Sequence, residues 1–392
     1  MSDIDFYYDV VCPYAYLGAL QIETEAALVG ASVNWIPILL GGIFRHNNSP
    51  DVPAQTWAPS KIKYSATDLQ RQAKKQQKKL RYHPKHPLRS VEAMRLLCMV
   101  DKKDLPQLSL KIFSAYWEKN LDISDPNVLN ELAAEMGLAP NLFALPQAKA
   151  KLFSNTKKAH ENGVFGVPSF IVGNKMWWGQ DRLHLVTESL GHPKRQLPEG
   201  TASEKPISFY HDFSSPFSYI GAMQIPAIEK KYSVKIQLKP ILLGALFRNI
   251  GTPDVPLFTM SKAKQNYIFR DLQDASVFWN TPFSFPKKFP IRSILPLRIA
   301  ILAPQCTFDI YSAMWADGED ISDEDILKKI VIKHDLSWDT LIEKMPLAKT
   351  TLIENTAEAE KNGVCGVPTI RWNEEIWWGQ DRILDFANRL IR

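Results

Sequence analysis

Phe6-Tyr-Tyr-Asp-Val-Val-Cys-Pro-Tyr-Ala-Tyr-Leu-Gly-Ala-Leu-Gln-Ile22 returns later in the chain as Phe209-Tyr-His-Asp-Phe-Ser-Ser-Pro-Phe-Ser-Tyr-Ile-Gly-Ala-Met-Gln-Ile225. Each stretch opens as a short aromatic and β-branched run, pauses before a proline and continues with helical spacing. It reads as strand, loop and helix, with Pro13 in a first turn where no backbone N–H is needed. Two further pairs follow in the same order: Gly163-Val-Phe-Gly-Val-Pro168 with Gly363-Val-Cys-Gly-Val-Pro368, and Trp177-Trp-Gly-Gln-Asp-Arg182 with Trp377-Trp-Gly-Gln-Asp-Arg382. The repeating unit is half the chain, so this is a tandem duplication of a domain and not a solenoid of short repeats.

Working outward, a strand is expected over 4–9, a helix over 14–29 and a second strand over 32–39, matched in copy two by 234–242. Helical periodicity then dominates from about 55 to 160, as at 90–100, 107–119, 128–136 and 146–162. Strands at 168–172 and 175–178 form a hairpin turning at Gly173-Asn174, and a helix over 181–190 closes the unit. Residues 193–206 have linker composition. The expected domains are therefore 1–192 and 207–392, with helical inserts at about 55–160 and 258–360. The order β-α-β, helical insert, β-β-α is that of a thioredoxin-like α/β fold.

The composition places few demands. The chain has 392 residues, 45% hydrophobic and 23% charged, with a net charge of +5. These are values of an ordinary globular protein in which each half is large enough to bury its own core. The basic run Arg71–Arg81 reads as a solvated helix face, since copy two has Asp271-Leu-Gln-Asp274 there; no nucleic-acid partner is expected. The four cysteines, Cys12, Cys98, Cys306 and Cys365, form no CxxC, zinc spacing or disulfide framework. That pattern suits a reducing compartment and no metal. A first strand starting near residue 4, and no apolar run of membrane-spanning length, lead to the expectation of a cytoplasmic protein.

The repeated elements Phe-Tyr-x-Asp-x-x-[Cys/Ser]-Pro-[Tyr/Phe]-x-Tyr, Lys-x-x-Tyr-x-x-x-Asp-Leu at 61–69 and 264–272, Gly-Val-Pro and Trp-Trp-Gly-Gln-Asp-Arg run in order through both halves. With them the chain resembles the DsbA-like thioredoxin superfamily, in the branch of 2-hydroxychromene-2-carboxylate isomerase and kappa-class glutathione transferases. The resemblance implies two tandem DsbA-type domains, glutathione as cofactor, and an unsaturated, aromatic-derived substrate. It also implies an internal pseudo-dimer or a homodimer. By position it implies that Cys12 and Ser215 contact the glutathione sulfur, and that Val167 and Val367 pair with its cysteinyl backbone beside cis Pro168 and Pro368. Gln180, Asp181, Gln380 and Asp381 would hold the γ-glutamyl end, and Lys61 and Lys264 would lie near the glycyl end. Arg89 and Arg292 stand where the family has asparagine, adding positive charge.

Each residue also has an ordinary reading. A helix N-terminus carries roughly half a positive charge and stabilises a thiolate, so Cys12 is either a low-pKa nucleophile or a relic, and Ser215 is either a hydrogen-bond donor to sulfur or a helix cap. Asp181 and Asp381 precede a helix and suit N-caps. Asp9 and Asp212 are either buried beside the helix start or loop-orienting groups. Cys98, Cys306 and Cys365 read as packing residues, and Trp177, Trp178, Trp377 and Trp378 as core or interdomain packing. Two other functions stay open: thiol-disulfide or glutathionylation chemistry through Cys12 alone, and a non-catalytic structural copy.

Overall fold

The computed structural model describes residues 3–50, 52–202 and 206–391, so part of the linker, 203–205, lies outside the described residues. It contains two four-stranded sheets of the same topology. In the first, β1 (Asp3–Tyr8) pairs parallel with β2 (Ser32–Pro37) and antiparallel with β3 (Ser169–Val172), which pairs antiparallel with β4 (Lys175–Trp178). In the second, β5 (Ile207–His211), β6 (Ile236–Pro240), β7 (Thr369–Trp372) and β8 (Glu375–Trp378) repeat that order. The tandem thioredoxin-like fold expected from the sequence is present twice, with a helical insertion between β2 and β3 and another between β6 and β7.

The central strand of each sheet is an apolar run because both of its faces are covered. Ile4, Phe6, Tyr7 and Tyr8 are fully buried, with Phe6 stacked on Phe170 and edge-on to Trp35. The expected helix over 14–29 is two short helices, Pro13–Ala19 and Ile22–Ala27, separated at Leu20 and Gln21. The expected closing helix is a 3-10 turn at Gln180–Arg182 followed by Leu183–Ser189.

The chain divides into two compact units, and their membership does not follow the repeat boundary. Unit 1 gathers residues up to Gln55, Ser65–Arg195 and Met260–Tyr267; unit 2 gathers Thr56–Tyr64, Gln196–Thr259 and the chain from Ile268. The start of helix Lys262–Phe278, from the second copy, thus packs in unit 1, where Tyr267 belongs to the hydrophobic core. The start of helix Pro59–Lys75, from the first copy, packs in unit 2.

Candidate active sites

Each site begins where the central strand ends. Asp9 is fully buried there, and its carboxylate accepts the N–H groups of Val11 (3.1 Å) and Leu40 (2.8 Å) and the Ser90 hydroxyl (3.1 Å). Burial raises its pKa to about 6, the three hydrogen bonds opposing that rise. Asp212 is its counterpart, accepting from Ser214 N–H at 2.9 Å and Leu243 N–H at 2.9 Å, and burial raises its pKa also. Both carboxylates tie the turn before the helix to the loop after the second strand. From the helical insert, the Trp117 indole donates to the Val10 carbonyl at 2.9 Å, and the Trp315 indole to the Phe213 carbonyl at 2.8 Å. That explains why Ser-Ala-Tyr-Trp117 and Ser-Ala-Met-Trp315 recur: each tryptophan fixes the carbonyl two residues before the helix-capping position.

Cys12 and Ser215 are those capping positions. The Ser215 hydroxyl accepts the Ser218 N–H at 3.2 Å, a conventional cap, and donates to the Val367 carbonyl at 3.3 Å. The Cys12 thiol makes no cap and donates to the Val167 carbonyl at 3.3 Å. The Val167-Pro168 and Val367-Pro368 bonds are cis, as are His86-Pro87 and Phe289-Pro290. A close helix-to-loop approach brings these groups together: a Cβ on Gly221 would lie 3.1 Å from Pro368, and one on Gly18 3.5 Å from Pro168. Of the two readings of Ser215, the capping one is observed, and the same oxygen also faces the Val-Pro loop.

The electrostatics run against the low-pKa reading of Cys12, whose side chain is half-buried. Desolvation is the largest influence and pushes the thiol up to about 12, with the N–H groups of Ala15 and Tyr14 opposing it and the Asp9 charge adding to it. The helix end stabilises a thiolate, but burial beside an acidic group outweighs it. Cys365 is likewise pushed up to about 12 by burial. Cys98 is half-buried and Cys306 buried.

The lysines complete the picture in a way the sequence did not reveal. Within unit 2, Lys61 Nζ lies 4.3 Å from the centre of the Trp57 ring and 5.7 Å from that of Trp378, and burial lowers its pKa. The Tyr64 hydroxyl, one helical turn on, accepts the Trp378 N–H at 3.0 Å. Within unit 1, Lys264 Nζ lies 4.9 Å from the Trp178 ring and the Tyr267 hydroxyl accepts the Trp178 N–H at 3.0 Å. Each lysine therefore sits against the Trp-Trp-Gly-Gln-Asp-Arg turn of the other copy. Both copies carry the same Lys-x-x-Tyr motif, so nothing in the sequence could signal the exchange. Gly166 and Gly366 permit the tryptophan's approach, since a Cβ there would lie 2.8 and 2.7 Å from the indole nitrogens of Trp178 and Trp378. These two tryptophans flank the lysines, whereas Trp177 and Trp377 are core.

Gln180 and Gln380 are buried. The Gln180 amide oxygen accepts from Gln21 at 3.3 Å, and that of Gln380 from the Trp279 indole at 2.7 Å. Asp181 and Asp381 lie in the 3-10 turns and are not the N-caps of the closing helices; Arg182 and Arg382 hold those positions. Each carboxylate pairs with the neighbouring arginine at 3.2 Å while remaining partly exposed. Arg89 and Arg292 are exposed, and Arg89 pairs with Glu92 at 3.0 Å. Among the described residues no group of histidine, cysteine and carboxylate could hold a metal, and no helix is long and apolar enough to cross a membrane.

The model of the DSBA-like thioredoxin domain matches residues 3–191 and again 206–391. The chain belongs to the DsbA-like thioredoxin family, as a tandem duplication. Among curated relatives, it is 26% identical over 211 residues to glutathione S-transferase kappa 2 of Caenorhabditis elegans, an alignment covering 48% of this chain and 92% of that one. It is 27% identical over 200 residues to 2-hydroxychromene-2-carboxylate isomerase of Pseudomonas putida, covering 47% and 94%. Among solved structures, a 2-hydroxychromene-2-carboxylate isomerase superposes with a TM-score of 0.45 at 22% identity, covering 48% of this chain and 94% of that one.

Proposed function

We propose that this protein is a glutathione-dependent isomerase or transferase acting on an unsaturated, aromatic-derived substrate, with Ser215 and Cys12 each serving one site. The observation that carries the reading is the pairing, in both units, of an O–H or S–H donor at a helix N-terminus with the valine carbonyl of a Val-Pro loop, 3.3 Å away. The donor set suits a tripeptide thiol with one ammonium and two carboxylate groups: Asp381 for the ammonium, Lys61 for a carboxylate, and the helix end for the sulfur.

Bound glutathione supplies a sulfur nucleophile able to add to an electrophilic carbon and leave again. Ser215 turns its hydroxyl from the Val367 carbonyl to the sulfur and, with the N-terminal N–H groups of helix Pro216–Ala222, favours the thiolate. Val367 orients the cysteinyl backbone, and the Trp279 bond to Gln380 fixes which face of that amide points toward the γ-glutamyl end. In unit 1 the neutral Cys12 thiol donates in place of the hydroxyl, with Val167, Gln180, Asp181 and Lys264 in the matching roles.

Thiol-disulfide exchange through Cys12 is disfavoured by its raised pKa and by the lack of a second cysteine in Cys-Pro-Tyr-Ala15. Calorimetric titration of reduced glutathione into the full chain tests the proposal. Saturable binding, with one site altered by Ser215→Ala and another by Cys12→Ala, is the expected result. Absence of binding, or binding indifferent to both changes, removes it.

A further inference from the structure

Unit 2 contains a cavity of about 310 Å³ that shares no residue with the proposed glutathione site. It lies among three helices, Leu243–Ile250, Ile294–Leu302 and Met345–Lys361. Its walls are apolar, with Leu242, Ala245, Leu352, Ile294 and Ile353; the last two are 41% and 60% exposed. Helix Ile294–Leu302 reads Ile-Leu-Pro-Leu-Arg-Ile-Ala-Ile-Leu, and its one polar side chain, Arg298, lines the cavity. The Arg298 Nε is inaccessible to solvent and, among the described residues, has no hydrogen-bond partner. Lys349 lines the cavity as a second cation.

The other polar groups lining the cavity are already engaged. Thr356 accepts from Leu242 N–H at 3.0 Å and donates to the Leu352 carbonyl at 2.7 Å, while the Asn249 amide donates to Glu360 at 2.8 Å. Two cationic side chains, Arg298 and Lys349, lining an otherwise apolar space match an anionic head on an apolar body. We propose that this cavity is a binding site for a small carboxylate with an alkyl or aryl body, its carboxylate on Arg298 and Lys349 and its apolar part against Leu352 and Ile353.

The matching position of the other copy differs in one lining residue. Arg95 stands at the position of Arg298, and its Nε is equally without a partner among the described residues. The helix facing it, however, carries Gly42 where unit 2 has Ala245. A Cβ on Gly42 would lie only 2.9 Å from Thr156 Cγ2. Real Cβ atoms do not approach so closely, so the spacing beside Thr156 has no room for the methyl group that Ala245 carries beside Thr356, and the two copies differ in the lining at this position.

Isothermal titration of octanoate into the full chain tests the proposal, with octanol as the uncharged control. Saturable octanoate binding that is weakened about tenfold or more by Arg298→Gln, and is unaltered by Arg95→Gln, supports it. Ala245→Leu, which fills the cavity while leaving Arg298 in place, should also abolish binding, so the proposal does not depend on one variant folding. No saturable binding up to about 10 mM, the range reached by a ligand of ten non-hydrogen atoms, overturns it. So does equal affinity for octanol, or binding untouched by both Arg298→Gln and Ala245→Leu. Glutathione titration of the same variants is expected to be unchanged, which separates failure here from failure of the proposed activity.

Discussion

Unit 1 opens its first helix with Cys12, unit 2 with Ser215, and the two backbones are superficially the same. The side chains beneath them are not. Around Ser215 lie His211, Ser218 and Tyr311, where unit 1 has Tyr8, Ala15 and Phe113. In unit 1 the Tyr8 hydroxyl bonds Ser109 at 2.6 Å; in unit 2 His211 bonds Tyr311 at 3.0 Å and keeps its Nε2 buried without a partner among the described residues. The loops differ too. Phe165 packs on Trp178 and Tyr267 with ring centres 5.0 and 5.3 Å apart, while unit 2 has the smaller Cys365 there, electrostatically coupled to Lys61. The duplicates kept the skeleton that positions a donor at a helix end and diverged in what surrounds it. A duplicated fold therefore does not guarantee two equivalent sites.

The sharpest way to break this comparison is Ser215→Ala, expected to lower the glutathione-dependent kcat of unit 2 by about 100- to 1000-fold, the size of losing one preorganised donor. Because the same change removes a cap of about 1 kcal/mol, a melting curve must accompany the kinetics. Ser215→Cys, which gives unit 2 the donor of unit 1, should retain more rate than alanine. Equal losses from both variants would show that the hydroxyl acts only as a cap.

The next effect concerns stability. Burial lowers the His211 pKa to about 3 from its ordinary 6.5, so the unfolded chain binds a proton that the folded chain refuses between those values. Stability of unit 2 is full above pH 6.5 and falls as the pH drops, by about 2 kcal/mol between pH 7 and pH 5. Asp9 in unit 1 and Asp212 in unit 2 both work in the opposite sense, since burial raises their folded pKa above the ordinary 3.8 and their contributions weaken as pH rises, so His211 is what distinguishes the units. Hydrogen exchange followed separately in the two units should show unit 2 loosening first in acid, and the double variant His211→Tyr, Tyr311→Phe should remove the difference. An unchanged acid response in that variant would break the assignment to His211.

Smaller, about tenfold in affinity, is the expected effect of the exchanged lysines on glutathione binding. Lys61→Gln should weaken the site that remains in Cys12→Ala, and Lys264→Gln the site that remains in Ser215→Ala, both read by calorimetry. The reverse pairing would contradict the segment exchange. Smallest is the change at Cys12: its alkylation by iodoacetamide should keep accelerating past pH 9, because the thiol is pushed up to about 12. A plateau near pH 7 would restore Cys12 as a thiolate nucleophile.

Much of the fold is legible in the sequence itself, for reasons of range. Strand alternation, a proline in a first helical turn and a repeated motif are encoded within a few residues, so the duplication, the two β-α-β beginnings and the positions of Cys12, Ser215, Pro168 and Pro368 could be read directly. Helix ends are not encoded so locally: the break at Leu20 and Gln21 follows a continuous apolar pattern, and Asp181 reads as a cap because an aspartate before a helix usually is one. What only the tertiary structure decided is long-range. Two identical Lys-x-x-Tyr motifs can dock on two identical Trp-Trp-Gly-Gln-Asp-Arg turns in either pairing, and local sequence has no term that distinguishes them. The state of Cys12 is equally beyond it: the helix end that favours a thiolate is local, but the desolvation that outweighs it comes from side chains distant in sequence.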